Sequence, residues 1–324
     1  MTGDATLGTS AGPASRVSTG LPALIAHVAA DYGLGDVADW SVLATGYEDC
    51  NIDLRTQQTR VVIKVFAAVG RPAGIADRTA GLIDAVRQAG VCHPRLHADA
   101  TGGQVHSYDG HQLLVMDFAP GRTFYDLGRP PDQAELARVV EQAVRIHACG
   151  ARPEPVFDSW AIANLVPLAG QVGDLLDARQ RHLVDGAIAA MTAVGFWSLP
   201  VTLIHADLTA GNVLLGPGGE LTVLDFALAN RWPRLQELAV IAASLMHGSP
   251  GSLPSRLDTV AAMYSAAGPA PLTPEEEAAL PAFGQAAAAM ELLGGLNQWR
   301  QGNRGAETDS LIDIGTTGLA DYAA

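Results

Sequence analysis

Lysine is almost absent from this chain: of 20 basic side chains, 19 are arginine and one, Lys64, is lysine. Basic residues are few altogether, and the formal net charge is −14. Binding to a nucleic-acid backbone relies on clustered Lys and Arg, so we expect no nucleic-acid partner and a better fit to a cationic small molecule. A coding bias toward arginine explains why 19 of the basic residues are arginine. The lone lysine ends the apolar stretch 61–63, a position that favours chemistry needing a compact ammonium group.

Cysteine and long apolar runs are scarce as well. The three cysteines have no CxxC spacing, which predicts a reducing compartment and no structural zinc. The best apolar window, 278–296, is broken by Pro281, Gln285 and Glu291, so we expect no membrane partner. Residues 1–20 lack a basic start and an apolar core, so we interpret them as a flexible leader rather than a signal peptide. We therefore expect a cytoplasmic protein.

The pattern of apolar residues divides the chain into two parts. Alternation over 51–54, followed by the apolar run 61–66, predicts a β-hairpin with Lys64 on its second strand. A helix over 75–89, strands over 104–107 and 112–117, and a hinge-like Pro-Gly connection at 118–121 follow. From 131 onward the pattern is mainly helical, with helices predicted from 131, then at 172–194, 235–246, 257–266, 274–300 and 309–322. We therefore expect a nucleotide-binding lobe at 21–118 and a helical catalytic lobe at 119–324.

The stretch 203–226 carries the densest set of chemical groups. A short strand leads into a polar loop with His205, Asp207 and Asn212, and the chain then forms strand 213–215. The turn Gly-Pro-Gly-Gly at 216–219 reverses the chain, because glycine tolerates positive φ and proline fixes a turn. The returning strand delivers Asp225, so the hairpin is predicted to bring Asp207, Asn212 and Asp225 together.

These groups match the needs of phosphoryl transfer from a nucleotide. That reaction needs a cation on the phosphates, Mg²⁺ held by oxygen ligands, and a carboxylate that orients the acceptor hydroxyl. Lys64 can supply the cation, Asn212 and Asp225 the oxygen ligands, and Asp207 the carboxylate. The transition state is loose and the carboxylate acts mainly by positioning, so an ordinary low pKa of Asp207 is no obstacle.

In this order the motifs resemble a known family. His205-x-Asp207-x-x-x-x-Asn212, the later Leu-Asp-Phe at 224–226 and the earlier Val-Ile-Lys at 62–64 are similar to the aminoglycoside phosphotransferase and choline/homoserine kinase-like superfamily. The resemblance runs from about residue 43 to 239. It implies an α+β, bilobal protein-kinase-like fold, with a small antiparallel-sheet N-lobe and a larger, mainly helical C-lobe. It also implies ATP and Mg²⁺ as cofactors and a small hydroxylated acceptor.

The resemblance assigns a role to each matching residue. Asp207 would be the catalytic base, His205 a loop-orienting residue, and Asn212 and Asp225 the Mg²⁺ ligands. The remaining residues would contact the nucleotide: Lys64 its phosphates, the backbone from Asp117 to Ala119 the adenine edge, and Val62 with Leu214 the two purine faces.

Three positions depart from the family pattern. Members pair the lysine with a glutamate on the following helix, but no glutamate occurs between Glu48 and Glu135; we choose Asp77 instead, with Asp84 next. The phosphate loop, 45–51, holds a single glycine. Where relatives usually have Asp-Leu-Ala, this chain has Glu-Leu-Ala at 237–239.

Other interpretations of the same residues remain open. Asp and Asn could merely cap and turn a loop, and a metal hydrolase would need more histidines near His205. A regulatory pseudokinase would be expected to lack one of the four key residues, and a protein kinase would need a longer segment after Asp225. His147 is interpreted as a core histidine. We expect an amine-bearing acceptor, such as an amino sugar, amino alcohol or amino acid, and the chain offers four side chains for it: Glu291, Trp299, Glu307 and Asp309. The sequence does not indicate an oligomeric state.

Overall fold

The structure, a computed structural model, describes residues 20–43, 49–67 and 72–323. The chain divides into two compact units. The first comprises Met1–Ile83 and Pro94–Ala119, and the second comprises Asp84–His93 and Pro120–Ala324. The main division thus falls after residue 119, where the sequence analysis put it after 118, and a ten-residue segment from the first predicted lobe joins the second unit. The predicted leader lies outside the described residues except for Gly20.

An antiparallel sheet of five strands forms the first unit's framework, in the order β1-β2-β3-β5-β4. Its elements are α1 (Leu21–Asp31), β1 (Val37–Leu43), β2 (Cys50–Thr56), β3 (Arg60–Val65), β4 (Val105–Tyr108) and β5 (His111–Asp117). The helix α2 (Ile75–Gln88) begins in this unit and ends in the second. The predicted hairpin is β2–β3, and Thr56 closes its turn by accepting the Thr59 amide with its hydroxyl.

Successive side chains of β3 point to opposite faces of the sheet, which places Lys64 on the face opposite the core cluster. Val61, Ile63 and Val65 are buried in one cluster with Leu24 and Val28 of α1. Side chains along a strand alternate between the two faces, so Val62 and Lys64 point to the face opposite that cluster. Lys64 is nevertheless only 4% exposed.

The second unit is mainly helical. Its helices are α3 (Phe124–Leu127), α4 (Gln133–Ala148), α5 (Leu165–Val172), α6 (Ala178–Val194), α7 (Leu235–Val240), α8 (Leu253–Ala267), α9 (Pro274–Arg300) and α10 (Ala306–Ala320). Its strands are β6 (Arg122–Thr123), β7 (Val201–Ile204), β8 (Val213–Leu215), β9 (Leu221–Val223) and β10 (Asn230–Pro233). They form the small sheets β6-β8-β9 and β10-β7. In the parts of the chain that the structure describes, no helix is both long and apolar enough to cross a membrane.

The predicted fold class is confirmed, and two of the predicted helices are interrupted in the structure. The continuous helix predicted over 172–194 is wrong: α5 ends at Val172, and Asp177 starts α6 through a capping box with Gln180. The helix predicted over 235–246 changes after Val240 into a π-helical turn, Ile241–Leu245. The Asp-x-x-Gln spacing of this capping box is present in the sequence, where it marks the start of a helix.

The contact between α9 and α10 depends on a glycine. A Cβ added at Gly315 would lie 2.6 Å from the Ala288 carbonyl oxygen and would also meet the backbone nitrogen of Leu292. Backbone cannot move aside as a flexible side chain can. The two helices therefore approach more closely than any larger residue allows.

We expect Gly315→Ala to lower the free energy of unfolding by roughly 1–3 kcal/mol, because overpacking forces the helices apart. The matched control is Gly186→Ala in α6, where an added Cβ meets nothing within 4 Å. There alanine should be neutral or stabilise by up to about 1 kcal/mol through its higher helix propensity. Urea denaturation of both variants measures the difference, and equal unfolding free energies would contradict the close approach.

Candidate active site

A glutamate on α7 holds the loop that follows β7. The two carboxylate oxygens of Glu237 accept the amides of His205 and Ala206, at 2.9 and 2.8 Å. Glu237 is fully buried, and this burial raises its pKa to about 7. Ala206 has a φ of +74°, a conformation that residues other than glycine rarely adopt. The two hydrogen bonds therefore stabilise a strained turn directly before Asp207.

The His205 ring connects this loop to the end of β9. Its Nε2 lies 2.8 Å from the Leu224 carbonyl oxygen and must donate, since a carbonyl only accepts. Its Nδ1 is then free to accept the amide of Asp207, at 3.2 Å. Burial lowers the ring's pKa to about 4, so the ring is neutral. Both contacts of the ring are with backbone atoms, and the loop-orienting role of His205 stays a prediction.

Asp207 and Asn212 are joined directly. The Asn212 side-chain amide donates to Asp207 Oδ2 at 2.6 Å and to the Asp207 carbonyl oxygen at 3.1 Å. The predicted hairpin is β8–β9, in which Val213 pairs with Val223, and the Leu224 amide donates to the Asn212 carbonyl. Asp225 follows with a φ of +62°, and one of its carboxylate oxygens accepts the Ala227 amide at 3.2 Å.

Three other carboxyl groups share the surroundings of Asp207. Burial raises the pKa of Asp207 well above its usual value, and the charges of Asp225, Asp158 and Glu291 raise it further. Asp158 is 2% exposed and Glu291 is 8% exposed. Burial also raises the pKa of Glu291 to about 7, against a hydrogen bond from Ser244. Such a cluster has excess negative charge that a bound cation would offset.

Of the four predicted acceptor side chains, Glu291 is the one whose charge raises the pKa of Asp207. Trp299, near the end of α9, carries the guanidinium group of Arg304 over its ring at 4.1 Å. Glu307 and Asp309 lie in the first turn of α10. The sequence analysis missed Asp158, which no motif marks.

The acid beside Lys64 is Asp49. The Lys64 Nζ lies 3.1 Å from Asp49 Oδ2, and both side chains are less than a tenth exposed. The sequence analysis chose Asp77, which is exposed in the first turn of α2, so the expected pairing is corrected. Asp84 lies further along α2 in the second unit. Asp49 lies directly before β2 and not on the helix where the family pattern places the acid. Most of the predicted phosphate loop, 45–51, lies outside the described residues.

The segment predicted to contact adenine ends β5. The Asp117 side chain accepts from His97 at 2.7 Å and from Arg95 at 3.3 Å, and its amide donates to the Arg95 carbonyl. The Phe118 amide donates to the Arg60 carbonyl, and the Arg60 guanidinium covers the Phe118 ring at 3.3 Å.

The remaining nucleotide-binding predictions concern Ala119, Val62 and Leu214. Ala119 and Val62 are half-buried in the first unit, and Leu214 is buried in the second. Their assigned contacts with the nucleotide stay predictions.

Comparison with known proteins identifies the family. The sequence model of the family described as "Phosphotransferase enzyme family" matches residues 39–274. This is most of the chain, which therefore belongs to the phosphotransferase enzyme family. It is a small-molecule kinase that uses a hydroxyl acceptor, so the pseudokinase and protein-kinase alternatives are set aside.

The curated relatives it resembles share one name. The chain is 25% identical over 272 residues to a homoserine kinase of Methylobacillus flagellatus, a match covering 82% of each chain. It is 28% identical over 268 residues to a homoserine kinase of Polaromonas naphthalenivorans, covering 79% of this chain and 80% of that one.

Solved structures with the same fold include two further kinases. A spectinomycin phosphotransferase in complex with ADP and spectinomycin matches with a TM-score of 0.68 and 12% identity, over 94% of this chain and 98% of that one. A microcompartment-associated aminopropanol kinase matches with a TM-score of 0.64 and 17% identity, over 92% and 95%. At these identities the likeness establishes the fold.

Proposed function

We propose that this enzyme transfers the γ-phosphoryl group of ATP to the hydroxyl of a small acceptor that carries an ammonium group, with a hydroxy amino acid such as homoserine as the first candidate. The observation that carries this proposal is the buried carboxyl group of Glu291, whose charge acts on Asp207 together with those of Asp225 and Asp158. An ionised carboxyl group buried there is costly unless a cation offsets its charge. The shared name of the curated relatives supports homoserine among the amines.

Asp207 acts as the base in this proposal. Its carboxylate accepts the hydrogen bond of the acceptor hydroxyl and aims the oxygen at phosphorus. As the new oxygen–phosphorus bond forms and the bond to ADP breaks, the hydroxyl proton passes to Asp207. Asn212 holds the carboxylate in place by donating to Oδ2. Positioning of this kind contributes most of the catalysis in a loose transition state.

The donor set in the second unit suits Mg²⁺. The Asn212 amide nitrogen is engaged by Asp207, so its oxygen is the atom available to a ligand. With the Asp225 carboxylate it supplies hard oxygen donors, which Mg²⁺ prefers. A magnesium ion held there would supply positive charge against the phosphate oxygens.

In the first unit, we assign the nucleotide phosphates to Lys64. Asp49 holds the ammonium group, and the compact charge of lysine suits phosphate oxygens. The amides of Asp117 and Phe118 already donate to protein carbonyls, so we assign the adenine contact to the Ala119 amide and the Asp117 carbonyl.

A panel of acceptors tests the proposal. ATP turnover is measured with homoserine, ethanolamine, choline and an amino sugar, and with 4-hydroxybutyrate, which is homoserine without its amino group. We expect at least one amine to be phosphorylated, and homoserine to exceed 4-hydroxybutyrate in kcat/KM by about 10- to 100-fold, the usual effect of losing a charged hydrogen bond. Equal use of the two matched acceptors would overturn the proposed ammonium recognition.

The variant Glu291→Gln tests the recognition of the ammonium group through the pH dependence of KM. An ammonium ligand favours the ionised carboxylate, so wild-type KM for the amine should fall as the pH rises through about 7, the pKa of Glu291. Glutamine has no such titration, so the variant should have a higher KM with a flatter pH profile. An unchanged KM profile would remove Glu291 from the acceptor site.

A further inference from the structure

The first unit contains a cluster of metal-ligating side chains that the proposed reaction does not use. His27 and Asp31 lie one turn apart on α1, and His106 lies on β4, the edge strand of the sheet. The two Nε2 atoms are 3.1 Å apart. Asp31 Oδ2 lies 3.3 Å from His27 Nε2 and 3.4 Å from His106 Nε2. Three electron-rich atoms from two elements thus converge on one point.

Protons alone cannot satisfy this arrangement. Each imidazole nitrogen carries at most one hydrogen, which points in one direction. At most two of the three close pairs can therefore hold a proton between their atoms. One cation at the centre could be bound by all three atoms at once.

The spacing matches that of a tetrahedral zinc site. With zinc–nitrogen and zinc–oxygen distances of roughly 2.0–2.2 Å, neighbouring ligand atoms of a tetrahedron lie about 3.3 Å apart. The three observed separations, 3.1, 3.3 and 3.4 Å, agree with one face of that tetrahedron. Two imidazoles and a carboxylate favour Zn²⁺ over Mg²⁺ or Ca²⁺, which prefer oxygen ligands alone.

The surroundings orient the ligands. The other ring nitrogen of His106, Nδ1, lies 3.5 Å from Asp99 Oδ2. Asp99 is itself fixed, because its Oδ1 accepts the Thr101 hydroxyl and the amides of Thr101 and Gly103. The His27 ring packs on Tyr108 with centroids 4.4 Å apart. A carboxylate behind a ligating histidine is the usual second layer of a zinc site.

We propose that His27, Asp31 and His106 bind one Zn²⁺, which ties α1 to the edge strand of the first unit. The absence of CxxC spacing excludes only a cysteine-based site, so it does not conflict with this one. His27 and Asp31 are each more than a third exposed, so solvent can reach the fourth coordination position. The role of such a tie is stability, since a ligand that binds only the folded state raises its melting temperature.

The test uses the full chain without a histidine tag, freed of metal by a chelator. Equilibrium dialysis against Zn²⁺ measures the stoichiometry, and Co²⁺ reports four-coordinate geometry by its visible absorption. We compare the wild type with the double variant His27→Gln/His106→Gln and with His182→Gln, an exposed histidine on α6. Circular dichroism verifies that each variant is folded.

The wild type and His182→Gln should bind one more equivalent of Zn²⁺ than the double variant, and Zn²⁺ should raise the melting temperature of those two alone. Asp99→Asn should weaken binding by about 10- to 100-fold, the typical effect of losing such a carboxylate. The proposal is overturned if the folded double variant binds as much Zn²⁺ as the wild type, or if His182→Gln loses as much as the double variant.

Discussion

Asp207→Asn should yield a folded protein that still binds ATP but turns it over about 10²- to 10⁴-fold more slowly, the range expected when a general base is removed. Asparagine keeps the shape of the side chain but cannot take the hydroxyl proton. The nucleotide phosphates and adenine are assigned to other residues, so the Kd for ATP should change little. Single-turnover kinetics and calorimetric titration with ATP measure the two quantities separately.

The same substitution should stabilise the fold near neutral pH. Burial and three neighbouring carboxyl groups raise the pKa of Asp207 in the folded state, so ionising it costs stability once the pH exceeds its unfolded pKa. A neutral asparagine removes that cost, and the melting temperature should therefore rise. Asp185→Asn, at an exposed position on α6, is the matched control and should change neither activity nor melting temperature. Full activity in Asp207→Asn would refute the assignment of the base.

Activity should also depend on pH through this carboxyl group. The base must be ionised, so kcat/KM should fall as the pH is lowered through a pKa that lies well above the usual 3.8 of aspartate. The sequence analysis allowed for an ordinary pKa of Asp207. Burial is the first cause of the raised pKa, and of the three acids that add to it, Asp158 and Glu291 come from other parts of the chain.

The parts of the site that depend on local sequence could be predicted. The β8–β9 hairpin follows from its glycine-rich turn, and it relates Asn212 to Asp225 directly. The position of Lys64 on β3 follows from the apolar run 61–66, which predicts this strand. Both inferences rest on residues fewer than about twenty positions apart, where chain geometry limits the arrangements.

Contacts between distant elements could not be predicted in the same way. Glu291 is one of many polar residues on a 27-residue helix, and Asp158 lies in an irregular segment before α5. The cluster of His27 and His106 joins residues 79 positions apart. Periodicity identifies which face of an element is buried, but it does not say which element packs against it.

The structural role of Glu237 is not visible from its position in the sequence. The sequence analysis recorded it only as a departure from Asp-Leu-Ala. In the structure its side chain holds the amides of His205 and Ala206, one on each oxygen. The carboxylate form alone offers two full acceptors, so the loop before Asp207 is best held when Glu237 is ionised.

Glu237→Gln should therefore lower kcat by about 10-fold or more, while its effect on stability should depend on pH. Glutamine resembles the protonated acid: it offers one acceptor oxygen, and its NH₂ group faces the second amide. The folded-state pKa of Glu237 is about 7, against a usual 4.5, so the folded wild type holds a proton that the unfolded chain releases between these values. Wild-type stability from this group is complete below about pH 4.5 and is lost as the pH rises through 7.

The stability of the wild type should thus fall between pH 5 and pH 8, whereas that of the glutamine variant should not, so the difference between them shifts toward the variant. Each pKa unit corresponds to about 1.4 kcal/mol, so this shift should reach on the order of 3 kcal/mol. His147, whose Nε2 lies 3.8 Å from Glu237, stays neutral over this range because burial lowers its pKa to about 3. Urea denaturation at the two pH values measures the difference. Glu237→Asp keeps both oxygens and should recover part of kcat, whereas full kcat in the glutamine variant would show that the carboxylate does not position the loop.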